Sequence, residues 1–272
     1  MRARRIGVAL KWVALARTDS RAPDARYGGL SAADEAALET ALSIAATWGC
    51  PVRAASVGPQ VARGALVQAL AVGAAEVVHV DAPYNLASPV VATLLAHEFA
   101  DCDVVVCGDY SVDRGSGSTP AFLAAELKAA QALDLSTLVA ETAGTVLADR
   151  RLEAGRRERL RLTGRMVLSV GPSLARLRRA ALPALIAARA ASIPSRVPPR
   201  QADAPAPLSE GPFRPRAKIL PAPPGEVHDR LARLTGLSRP SIARQTLELS
   251  PAAAAERIVS QLRDWGYLEA AR

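Results

Sequence analysis

The chain has 272 residues, half of them hydrophobic, which allows one large domain or one domain with an appendage and excludes a wholly disordered chain. Its longest apolar runs fall short of the ~18 residues a membrane helix needs, and three cysteines (Cys50, Cys102, Cys107) are too few for a disulfide scaffold, so a reducing cytoplasm is the expected setting. The net charge of +8 hides an asymmetry: residues 1–149 carry 11 basic and 16 acidic side chains, residues 150–272 carry 23 and 10. A basic half suits nucleic acid, an anionic surface or an acidic partner.

Arg2, Arg4 and Arg5 ahead of an apolar run imitate a secretory signal, but Lys11 interrupts the run. Residues 6–10 therefore read as a buried strand, within an apolar stretch that runs to 13. Residues 31–48 read as a helix, with Ser31 as N-cap, Asp34 and Glu35 in the first turn, and an apolar stripe at Ala37, Leu38, Ala41, Leu42 and Ala45. A strand at 52–57, a helix at 61–71 stopped by Gly73, a strand at 76–80 and a helix at 88–99 follow. Residues 103–107 are uniformly apolar, as in a strand buried on both faces, and 120–130 read as a fourth helix.

This alternation predicts an α/β fold with a doubly wound, mostly parallel, Rossmann-like sheet. Strand-like runs at 135–140, 145–147, 159–163 and 166–170 then suggest an antiparallel extension. The expected organisation is a nucleotide-binding domain over 1–193, a Pro-rich linker over 194–224 and a C-terminal arm over 225–272. In that arm, 247–249 read as a short strand. Ser250 and Pro251 open a helix over 252–265 with Ile258, Val259 and Leu262 on one stripe.

The most informative stretch runs Cys107-Gly108-Asp109-Tyr110-Ser111-Val112-Asp113-Arg114-Gly115-Ser116-Gly117-Ser118-Thr119-Pro120, after the fourth strand and into the fourth helix. Gly115 and Gly117 let backbone approach a ligand closely. Ser116, Ser118 and Thr119 offer hydroxyls, and N–H groups at a helix start attract anions, most simply phosphate. An ordinary strand-to-helix turn rich in small residues reads equally well here. The loop is neither a Gly-x-Gly-x-x-Gly fingerprint, which belongs after the first strand, nor a P-loop, since Gly-Lys-Ser/Thr occurs nowhere.

Several stretches together resemble the beta subunits of electron-transfer flavoproteins. They are Ala9-Leu10-Lys11, Ser31-x-x-Asp34-Glu35-x-Ala37-Leu38-Glu39, Ser56-Val57-Gly58-Pro59, the Gly108 to Thr119 loop, Leu182-Pro183-Ala184-Leu185-Ile186, and the closing segment 248–266. The resemblance implies a heterodimer with an alpha subunit that holds most of the FAD, a structural AMP in the beta chain, and electrons accepted from dehydrogenases. By matching position, AMP contacts fall at Ala9, Ser31, Asp34, Val57, Gly108, Asp113, Gly115, Ser116, Gly117, Ser118 and Thr119. Leu182 and Pro183 fall at the partner-recognition segment. Ser31-Ala32 in place of Asn-Pro, Ser118 in place of Gln, and Arg150-Arg151 in place of Arg-Glu mark a divergent branch, similar to the mycofactocin-associated type. Some members carry a second FAD where others hold AMP.

His79, His97 and His228 lack partners at metal-ligand spacing. Cys102 and Cys107 read as inert thiols on opposite faces of a strand. Seven arginines between 150 and 165 read as a solvated or partner-facing strand edge, with Arg159, Arg161 and Thr163 on one face and Leu160 and Leu162 on the other. Nucleic acid is not expected, because the aromatic side chains that stack bases are missing between Phe122 and Phe213. The alternative function is a stand-alone adenine-nucleotide sensor of the universal-stress type, which shares the sheet but ends near residue 150. On either reading the chain is a binding protein or electron carrier rather than an enzyme.

Overall fold

The computed structural model describes residues 5–14, 25–84, 86–141, 144–198, 225–235 and 246–267. The chain divides into two units, 1–208 and 209–272. The first is built on nine strands in the order β11-β5-β4-β1-β6-β10-β7-β8-β9. These are β1 (Ile6–Ala9), β4 (Val52–Gly58), β5 (Glu76–Asp81), β6 (Val104–Gly108), β7 (Ala130–Ala140), β8 (Thr145–Arg151), β9 (Arg157–Thr163), β10 (Met166–Val170) and β11 (Ser195–Arg196). Neighbours from β11 to β7 pair in parallel, and β7-β8-β9 are antiparallel. A small antiparallel pair, β2 (Trp12–Ala14) with β3 (Gly28–Leu30), lies beside this sheet.

Period-2 alternation divides the core between the two faces. Ile6, Val8, Val104 and Val106 join the cluster under α1 (Ala32–Trp48) and α2 (Arg63–Val72). Val105, Cys107 and Phe99 join the cluster under α3 (Ser88–Glu98) and α4 (Thr119–Leu127). Gly7 leaves room for Phe99, whose ring lies 2.7 Å from where a Cβ would stand. α5 (Leu182–Ala190) packs against α2. The chain runs outward from β1 to β5 on one side and resumes at β6 on the other, so strand order switches between β1 and β6. That is where open α/β sheets bind ligands.

The capped helix start is as expected: the Asp34 amide donates to Ser31 Oγ at 3.1 Å. Other expectations are corrected. α4 ends at Leu127 because Lys128 takes a left-handed conformation, with φ of 50°, and the Ala129 amide closes on the Ala124 carbonyl. Ala130 therefore opens β7. Residues 166–170, expected within an antiparallel extension, form a strand parallel to both β6 and β7 and buried throughout. Cys102 and Cys107 share one core cluster instead of facing apart, because Cys102 precedes β6 and lies outside its pleat. Residues 195–196, counted with the linker, pair with β5, where the buried His79 ring lies 2.9 Å from both Ser195 Oγ and the Gly58 carbonyl. The rest of that linker from 199 onward lies outside the described residues.

In the second unit α6 (Val227–Leu234) and α7 (Pro251–Asp264) are described. Ser250 Oγ accepts from the Ala253 amide at 3.3 Å, as the sequence predicts. Residues 247–249 form no strand. Ile258, Trp265 and Tyr267 are exposed. Among the described residues no helix is long and apolar enough to cross a membrane.

Candidate functional site

A cleft opens at the C-terminal ends of β1, β4 and β6, at the switch in strand order. It holds about 850 Å³, counting its open mouth. Ala9, Val57, Val91, Leu95 and Cys107 give it an apolar floor. Ser116, Gly117 and Thr119 line it where α4 begins, and Lys11, Asp34, Tyr84 and Arg114 bring polar groups to its walls. No side chain caps the first turn of α4, and Pro120 in that turn has no N–H. Thr119 and Pro120 of that turn line a cleft that Arg114 lines as well, so the positive end of the helix dipole lies at its edge. This arrangement suits an anion such as phosphate.

Asp34 sits at the start of α1, buried, with Ser31 Oγ donating to its Oδ2 at 2.6 Å and the Lys11 amide to its Oδ1 at 3.3 Å. Burial pushes its pKa up to about 6 against the pull of those donors. Asp113 behaves in the opposite sense. Its partial burial works against ionisation, but donors from Lys11, Ser111 and Tyr84 outweigh it and bring the carboxyl down to about 2. Lys11 Nζ lies 2.6 Å from Asp113 Oδ1 and 2.8 Å from Ser111 Oγ, and the Tyr84 hydroxyl donates to Asp113 Oδ2 at 2.9 Å. Burial, then the Asp113 carboxylate, raise the Tyr84 phenol to about 12, so it stays a donor.

Two glycines set the loop's path. A Cβ on Gly117 would fall 1.8 Å from the Asp109 carbonyl oxygen, and one on Gly108 would press at 3.1 Å on Ala33 in α1. Burial, and then Asp134, raise the pKa of Asp109, and its Oδ1 is buried without a hydrogen-bond partner.

Of the residues expected at a nucleotide site, Ala9, Asp34, Val57, Gly108, Ser116, Gly117 and Thr119 line this one cleft. Ser31, Asp113, Gly115 and Ser118 do not line it. Ser31 bonds to Asp34, Asp113 to Lys11, Gly115 makes a turn at φ of 66°, and Ser118 precedes the uncapped helix. Tyr84 and Arg114 were not anticipated as wall residues. Arg114 lay inside the motif and could have been found from its charge, whereas Tyr84 carries no local pattern.

A family model described as the electron transfer flavoprotein domain matches residues 23–208. The chain belongs to the electron transfer flavoprotein family. Comparison with curated proteins gives no match. The matched span covers most of the cleft, the antiparallel strands and α5. Leu182 and Ile186 on α5 are exposed at 68% and 60%, and Pro183 falls in the first turn of that helix. Burial pushes the Cys102 and Cys107 thiols up, Cys102 to about 12, so neither is a ready thiolate. Among the described residues no group of His, Cys, Asp and Glu could hold a metal ion.

Proposed function

We propose that this chain is the beta subunit of a heterodimeric electron transfer flavoprotein, of the divergent, mycofactocin-associated type. It carries a structural AMP in the cleft between β1 and β6 and shares FAD with an alpha subunit. The observation that carries the reading is the uncapped start of α4 beside Arg114, opening on an apolar floor at the switch in strand order. An adenine ring suits the floor of Ala9, Val57, Val91 and Leu95. A phosphate suits the amides of residues 117–119 and the Arg114 guanidinium, which binds phosphate oxygens in pairs.

FAD, held chiefly by the alpha subunit, supplies the electron-carrying chemistry, and this chain positions and docks it. Exposed Leu182 and Ile186 offer the apolar face for electron-donating dehydrogenases. Binding is thus electron relay between proteins, with no substrate turned over by this chain. The universal-stress alternative loses ground, since the family match continues well past the sensor's usual length.

Titration of AMP into the purified protein, freed of nucleotide and held with any subunit that co-purifies, tests the reading. Arg114→Ala should weaken binding about tenfold or more, the loss of one charge-assisted phosphate contact. Equal affinity in wild type and variant would remove the phosphate from this end of the cleft.

A further inference from the structure

The loop lining the cleft is fastened chiefly at one carboxylate. Residues 111–116 form a closed turn: the Ser111 amide donates to the Ser116 carbonyl at 2.8 Å, and the Gly115 amide to the Ser111 carbonyl at 2.8 Å. These two bonds close the turn, and contacts from outside hold it in place. Asp113 gathers donors from two other walls of the cleft, Lys11 after β1 and Tyr84 after β5, together with its own neighbour Ser111. Two further ties, from Lys11 Nζ to Ser111 Oγ at 2.8 Å and from Arg114 to the Leu86 carbonyl at 2.7 Å, are to neutral acceptors. Tyr84 is braced in turn by Trp12, edge to face at 6.3 Å, and Lys11 lies 5.9 Å from the centre of the Tyr84 ring.

We propose that residues 110–117 are a strap across the cleft and that the Asp113 carboxylate is its latch, so that a nucleotide enters or leaves only when this carboxylate releases Lys11 and Tyr84. The proposal rests on the reading that the cleft holds AMP. It assigns Asp113, Lys11 and Tyr84 to gating. Asp113 does not line the cleft, and the Lys11 charge is already engaged with it. Arg114 and the α4 amides are then the groups left for phosphate.

A gate differs from a contact in its kinetics. A latch that closes equally with or without nucleotide speeds entering and leaving alike when loosened and leaves affinity nearly unchanged. A lost contact speeds leaving alone. Stopped-flow binding of a fluorescent N-methylanthraniloyl-AMP should show both rate constants raised about tenfold in Asp113→Asn, as expected for a charged hydrogen bond. Kd should stay within about threefold. Tyr84→Phe keeps the ring and should shift both rates the same way by less. Dissociation alone speeding up, with Kd rising in step, would overturn the latch, and so would unchanged rates.

Hydrogen exchange separates this claim from the claim that AMP binds. In nucleotide-free protein, amides within 110–117 should exchange about tenfold faster in Asp113→Asn while those of α4 stay as in wild type. Equal exchange in the strap would refute the latch whether or not a nucleotide binds. A wild-type protein that binds no nucleotide would refute the functional reading and leave the exchange result to decide the latch.

Discussion

Asp34 shows how one buried carboxyl ties stability to pH. The folded chain holds its proton up to about pH 6, while the unfolded chain releases it near 3.8. The folded state binds more protons between those values, so stability falls as pH rises from about 4 to 6 and is level above. The cost at neutral pH is roughly 2–3 kcal/mol. Asp34→Asn should remove that slope and unfold at higher urea concentration than wild type at pH 7.5. An unchanged slope would show that the carboxyl ionises normally. Gly117 makes a second residue-scale claim. Gly117→Ala sets a methyl against the Asp109 carbonyl, and urea melts should show a loss of about 1–3 kcal/mol. The site was legible at this scale where chemistry was local: the Ser31 cap, the glycines and the hydroxyls lie in one short motif or one helix start. Tyr84 was not legible, because its role comes from a contact across 29 residues with Asp113. Nor was the turning of Asp113 toward Lys11, which depends on strands that meet only in the folded sheet.

At the scale of elements, the strands and helices up to β6 could be read because their apolar periods are clean. The later ones were harder for physical reasons. Ala129 and Ala130 favour helix by propensity, yet pairing with β10 takes Ala130 into a strand. The direction of β10 follows from a crossover back from the edge strand β9, although its unbroken apolar run already differs from the Arg–Leu alternation of β9. Alternation in β9 does hold: Arg159 pairs with Asp149 at 2.8 Å and Arg161 with Glu141 at 3.1 Å on the open face. The β11 strand had no pattern to show, being two residues in a Pro-rich stretch. Its hold on β5 passes through His79, so Ser195→Ala should cost about 1 kcal/mol in chemical denaturation. It should also speed exchange of the His79 amide, which donates to the Pro194 carbonyl. No change in either would make β11 incidental to the sheet.

Over the whole molecule the chain joins an acidic half, which carries the cleft, to a basic half, which carries the open strand edge, α5 and the second unit. Leu182 has little to lose in folding and much to offer a partner. Leu182→Ala should leave the urea midpoint within about 0.5 kcal/mol of wild type while slowing electron acceptance from the proposed dehydrogenase donor. A variant that accepts electrons at the wild-type rate would free that face of the role. Removal of residues 248–272 should weaken association with the proposed alpha subunit, read by size exclusion, since Ile258, Trp265 and Tyr267 are apolar and exposed. An undiminished complex would contradict it. The central claim is an adenine nucleotide held at the β1/β6 switch, and one measurement reaches it most directly. The protein, with any subunit that co-purifies, is denatured and the released nucleotide identified by chromatography. The account predicts AMP near one per chain, with FAD present only alongside a second subunit. ATP released from the chain alone, or FAD at one per chain in its absence, would contradict it.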